Sequence, residues 1–65
     1  MKIRVNDSER ELSASTLAEA LDALGFRDAV VATAVNGEFV AAAARASTSL
    51  AEGDAVEIVA PMQGG

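Results

Sequence analysis

Asn36-Gly37 is the most confining pair of residues in this 65-residue chain. It separates two apolar stretches, residues 30–35 and residues 38–40, and a two-residue hairpin loop needs positive φ at both positions, which asparagine and glycine accept. Such a loop leaves no freedom of register. Val35 stands opposite Glu38, Ala34 opposite Phe39 and Thr33 opposite Val40, and opposed residues share a face. A carboxylate does not enter a core unpaired. With Glu38 placed outside, Val31, Thr33, Val35 and Val40 are expected on the outer face, and Ala32, Ala34 and Phe39 on the inner one.

The rest of the chain supplies what this hairpin must pack against. Residues 2–6 alternate, with Ile3 and Val5 on one side and Lys2, Arg4 and Asn6 on the other, the pattern of a half-buried strand. Asn6-Asp7-Ser8 is a turn, and residues 9–12 return as a weaker strand with Leu12 its one large apolar residue. Thr16 and Glu19 have the spacing of a capping box, with Ser15 a competing cap. Leu17, Ala20, Leu21 and Leu24 then make one helical stripe, closed by Gly25 in a left-handed cap and by Phe26 as its apolar contact. Residues 41–49 are alanine-rich and fit either a helical turn or an irregular crossover, with Arg45 read as a surface charge. Leu50 is expected in the core, Glu52-Gly53-Asp54 is a turn, and residues 55–60 form the last strand, with Val56 and Ile58 inward and Glu57 and Val59 outward.

Hairpin, helix, hairpin, crossover and strand, joined by a right-handed crossover, bring the last strand beside the first and parallel to it. The expected class is α+β: a mixed sheet of four to five strands with one main helix on one face. Residues 1–60 form that domain. Pro61 stops the last strand, since it has no N–H for a ladder, and residues 61–65 are expected as a flexible tail ending in Gly64-Gly65.

Composition narrows the function. Ten acidic side chains against five basic ones give a net charge of −5, a poor match for nucleic acid, where phosphate contacts need Lys and Arg. The chain has neither cysteine nor histidine, so it lacks a disulfide framework, a thiolate zinc site and the commonest general base. Ten carboxylates spread along a small surface read as a solvated exterior and not as catalytic apparatus. No apolar run nears the ~20 residues that span a bilayer, and the polar N-terminus is no signal peptide. A chain with no membrane role and a cytoplasmic location is expected.

The motifs Val35-Asn36-Gly37-Glu38, Leu50-Ala51-Glu52-Gly53-Asp54 and Val56-Glu57-Ile58-Val59-Ala60-Pro61-Met62-Gln63-Gly64-Gly65, in this order and over the whole chain, resemble the ubiquitin-like sulfur carriers with the β-grasp fold, most closely the ThiS family. The chain departs from that family at three places. Ala41-Ala42 stand where a Pro-Arg pair is common, Ala43-Ala44 where an aromatic often follows, and Ala55 where many members have a basic residue.

The resemblance implies a non-enzymatic carrier in thiamine biosynthesis that binds no cofactor of its own. A ThiF-like, E1-like adenylyltransferase would use ATP and magnesium to adenylate the Gly65 carboxylate. A sulfur donor such as a cysteine desulfurase would convert it to a thiocarboxylate, and a ThiG-like thiazole synthase would take the sulfur. Met62, Gln63 and Gly64 would thread the partner's active site, with no processing needed before Gly65. Val31, Thr33, Val35, Val40 and Val59 are expected to form the apolar patch that grips the partner. A molybdopterin-synthase small subunit, a ubiquitin-like covalent tag and a plain interaction module fit the same chain.

Overall fold

Seven short elements follow one another in the computed structural model, which describes residues 1–60: β1 (Lys2–Val5), β2 (Ser8–Glu11), α1 (Leu17–Ala23), β3 (Ala32–Val35), β4 (Glu38–Val40), a 3₁₀ segment (Ala42–Ser47) and β5 (Ala55–Val59). The tail predicted at residues 61–65 lies outside the described residues. The strands make one sheet in the order β2-β1-β5-β3-β4. β5 runs parallel to β1 and antiparallel to β3, and the two hairpins are antiparallel.

Local chemistry explains each element. Asn6 and Asp7, with φ of 48° and 71°, turn β1 into β2, a conformation their short polar side chains tolerate better than other residues do. Asn36 and Gly37, at 51° and 85°, make the second hairpin with the register that the sequence dictates. At the start of α1, Thr16 Oγ1 accepts from the Glu19 amide (3.2 Å). The Glu19 carboxylate reaches past Thr16 to accept from the Ser15 amide (2.7 Å) and the Ser15 hydroxyl (2.8 Å). The cap is therefore Thr16, and Ser15 completes the box. At the other end Gly25 takes φ 90°, the Phe26 amide donates to the Leu21 carbonyl (2.8 Å) and the Gly25 amide to the Asp22 carbonyl (3.2 Å). These are the two bonds of a Schellman cap.

The core lies between α1 and one face of the sheet. Leu17, Ala20 and Leu21 pack on Ile3, Val5, Val56 and Ile58, with Leu50 filling the end. Leu50 is brought there by two bonds beside α1, from the Leu17 amide to the Thr48 carbonyl (2.8 Å) and from the Leu50 amide to the Ser15 carbonyl (3.0 Å).

The faces of the second hairpin are the reverse of the expected ones. Thr33 is 2% exposed, and Val31, Val35 and Val40 are half-buried against the core. Phe39, expected inside, is 73% exposed. The sharing of faces was right, but Glu38 was the wrong guide to which face is which. β4 is the edge strand, so Glu38 at its hairpin end stays in water while lying on the same side as Val35. The register with β5 sets the outcome: Thr33 opposes Ile58 and Val35 opposes Val56, both core residues. β3 also begins at Ala32, leaving Val30 outside the sheet and 81% exposed.

Arg45 is not the surface charge expected of it. Its Nε donates to Thr33 Oγ1 (3.0 Å) and its Nη2 to the Val31 carbonyl (2.6 Å), while the Thr33 hydroxyl donates to the Val40 carbonyl (2.9 Å). The guanidinium thereby ties the 3₁₀ segment to β3 and satisfies the one buried hydroxyl of the sheet.

This packing separates two apolar truncations that the sequence treats alike. Leu17→Ala is expected to lower the unfolding free energy by about 3 kcal/mol, and Phe39→Ala to change it by no more than about 0.5 kcal/mol, as read from urea unfolding.

Candidate functional site

The sheet face turned away from α1 is divided along its length. Over β1 and β2 it is charged, and the register sets Lys2 opposite Glu11 and Arg4 opposite Glu9, cross-strand pairs of opposite sign. Over β3, β4 and the end of β5 it is mostly apolar, with Glu57 the charged residue at its border. Ala32 opposes Val59, and Ala34 stands between Glu57 on one side and Phe39 on the other. Val59 is 61% exposed and, with Phe39 and Val30, completes the set of large exposed apolar side chains among the described residues.

The two alanines make this surface concave. Between Phe39 and Val59 lies a shallow hollow of about 170 Å³ floored by Ala32 and Ala34, and a second of about 300 Å³ lies between Val30 and Val59. Side chains of a partner can enter where β3 presents only methyl groups. A larger groove of about 420 Å³ runs between α1 and the 3₁₀ segment, but Glu19, Asp22, Arg27 and Arg45 line it and it lies on the opposite face. Val59 is followed by Ala60, the last described residue, so the chain leaves the sheet at the margin of the apolar hollows.

Of the residues expected to grip a partner, Val59 lies on this face and half-buried Val31 borders the second hollow beside it. Thr33, Val35 and Val40 pack toward the helix side, against the expectation. The residues that replace them are Val30, Ala32, Ala34 and Phe39. Phe39 was missed because its alternation with Glu38 and Val40 was read from the wrong side. Val30 was missed because an apolar residue next to a strand reads as part of it. Gly65, with Met62, Gln63 and Gly64, lies outside the described residues.

β5 is fastened at its start by a polar cluster. The Asp54 carboxylate accepts from the Ala51 amide (2.8 Å) and from Asn36 Nδ2 (3.0 Å), and Asn36 Oδ1 accepts from the Ala55 amide (2.9 Å). Asn36 is thus more than a turn residue: its amide joins the second hairpin to the strand that leads to the tail. The Ala51 N–H, and after it the Asn36 side chain, holds the Asp54 carboxyl below its ordinary value, since both favour the charged form. No helix among the described residues is long and apolar enough to cross a membrane.

The ThiS family model matches residues 3–65. The crystal structure of a thiamine biosynthesis protein (ThiS) from Geobacter metallireducens is 33% identical, with all of both chains covered and a TM-score of 0.82. The solution structure of a thiamine biosynthesis protein from Geobacter metallireducens is 30% identical, with 100% of this chain and 88% of that chain covered and a TM-score of 0.79. No curated protein matches the chain. The mixed five-stranded sheet with one helix is the β-grasp fold of these relatives, as the resemblance implied.

The Asp54 cluster gives a pH dependence of definite sign. A depressed carboxyl contributes stability that is complete above its unfolded value, near pH 4, and is lost as pH falls through the lower folded value. Asp54→Asn is expected to cost about 1 kcal/mol at neutral pH. The gap from the unsubstituted chain should close progressively below about pH 4, as read from urea midpoints across an acid series.

Proposed function

The chain belongs to the ThiS family, and on that premise we propose that it is a sulfur carrier for thiamine biosynthesis, working as a substrate of other enzymes. The observation that carries this reading is the extent of the match. It runs to residue 65 and so takes in Gly64-Gly65 as well as the folded body.

The Gly65 carboxyl is the group that reacts. A C-terminal carboxyl with a pKa of roughly 3.3–3.7 is ionised at neutral pH. Its oxygen attacks the α-phosphorus of ATP in the site of an E1-like, ThiF-type enzyme, with magnesium, and pyrophosphate leaves. The terminal sulfur of a persulfide on a donor such as a cysteine desulfurase then displaces AMP from the acyl carbon. A thiol cleaves the resulting S–S bond, releasing the thiocarboxylate and leaving a disulfide on the donor side. A ThiG-type thiazole synthase receives the sulfur. The ATP requirement suits a cytoplasmic setting.

Residues of the chain have separable roles in this scheme. Gly64 and Gly65 pass through a narrow channel because they carry no side chains, and Met62 and Gln63 span the channel mouth. Ordering glycine costs more backbone entropy than ordering other residues, so contacts elsewhere must offset it. The hollows between Val30, Phe39 and Val59 are suited to supply them, since apolar surface beside the exit of the chain docks without large desolvation cost. If the residues the family commonly places at positions 41–44 and 55 grip a partner, this face takes over that role here, where those positions are alanines. The net charge of −5 suits a partner with a basic surface.

Intact-mass analysis tests the reading. With ATP, magnesium, the activating enzyme and a sulfur donor, the chain is expected to gain about 16 Da, one oxygen exchanged for sulfur. Deleting Gly65 should abolish the gain and the growth without added thiamine that it supports. Isopeptide adducts in place of the gain would favour a protein tag, and an unchanged mass would contradict the carrier reading.

A further inference from the structure

β1 ends at Val5, and the chain turns away at Asn6 and Asp7, yet β5 continues to Val59. The parallel ladder between them follows the regular pattern up to the turn: the Arg4 amide donates to the Asp54 carbonyl (2.9 Å) and the Asn6 amide to the Val56 carbonyl (3.0 Å). Continued by two residues, that ladder would bond the Ile58 amide to the carbonyl of residue 6 and the Ile58 carbonyl to the amide of residue 8. Residue 8 has already turned into β2. The Asn6 side chain takes both places. Its Oδ1 accepts from the Ile58 amide (2.9 Å) and its Nδ2 donates to the Ile58 carbonyl (2.9 Å). A carboxamide has the donor, the acceptor and the plane of a peptide group, so it extends the ladder after the backbone has left.

This bond pair lies at the end of β5 that leads to the tail. On the β3 side the last register pair is Ala32 with Val59. On the β1 side nothing but Asn6 holds β5 beyond Val56 among the described residues. From Ile58 to Gly65 the chain can reach at most about 23–25 Å. The direction in which it sets out is therefore decided by how firmly Ile58 and Val59 are held.

We propose that Asn6 is a positioning residue for the reaction at Gly65, its carboxamide holding Ile58 so that the chain leaves the sheet already aimed. The proposal rests on the carrier reading given above. Asn6 touches neither the reacting atoms nor the apolar face, so its loss should leave docking of the body intact and should slow delivery of the carboxyl. Ordering roughly one more backbone residue at each delivery corresponds to about a tenfold loss of rate.

The test uses the full chain with its activating enzyme, measuring ATP–pyrophosphate exchange together with thermal unfolding and amide hydrogen exchange. Asn6→Gly keeps the left-handed backbone and removes the carboxamide. It is expected to lower kcat about tenfold with KM changed less than about twofold, and to speed exchange at the Ile58 amide. Asn6→Asp retains an acceptor for the Ile58 amide but sets an oxygen against its carbonyl, and should fall in kcat with the glycine variant. Asn36→Gly removes the fastening at the far end of β5 and should lower the unfolding temperature while leaving kcat unchanged.

A kcat for both Asn6 variants equal to that of the unsubstituted chain overturns the proposal. So does a loss of rate that merely tracks unfolding temperature across all three variants. In the unsubstituted chain the Ile58 amide should be as protected as that of Val56, and fast exchange there overturns the proposal whether or not the variants fold. An unsubstituted chain that supports no pyrophosphate exchange contradicts the carrier reading itself, and the role of Asn6 in the reaction with it.

Discussion

β5 is hydrogen-bonded on both sides, parallel to β1 and antiparallel to β3, and the rest of the molecule is arranged by that double pairing. It joins two hairpins distant in sequence into one sheet. It places Val56 and Ile58 under α1, where they meet Leu17 and Leu21. Its register with β3 then decides which side of the second hairpin is buried. A domain this small has a core of few residues, so a central strand that supplies two of them and pairs on both sides is a point on which cohesion turns. Its fastening at one end through Asn36 and at the other through Asn6 is consistent with that burden.

The same pairing gives the sheet two unlike faces. The inner one carries the helix. The outer one is divided into a charged half and an apolar half that meet along β5. The polypeptide leaves β5 at that boundary, next to Val59. On the proposed carrier reading, a reacting group at the end of the chain needs a firm point of departure and a docking surface beside it, and the C-terminal end of β5 is the candidate for both.

Much of this was legible in the sequence because it is local. Thr16 and Glu19 announced the helix start, Gly25 and Phe26 its end, and Asn36-Gly37 the hairpin with its register. What failed was non-local. A hairpin register states which residues share a face, and only the neighbouring strand states which face is buried. Glu38 was asked to settle that alone, and at the edge of a sheet a carboxylate can lie on the core side and still be hydrated. Arg45 was read as a surface charge because its partners, Thr33 and the Val31 carbonyl, are twelve and fourteen residues away. Asn6 and Asn36 were legible as turn residues, but a turn signal carries no information about where the side-chain amide goes.

Chemical-shift perturbation of the isotope-labelled chain, titrated with the activating enzyme, tests the outer apolar face as the docking surface. The expected result is perturbation of Val30, Ala32, Ala34, Phe39 and Val59 together with the terminal glycines, with the resonances of Leu17, Asp22 and Arg27 unmoved. Perturbation concentrated instead on α1 and the 3₁₀ segment, with Phe39 and Val59 unaffected, would contradict it.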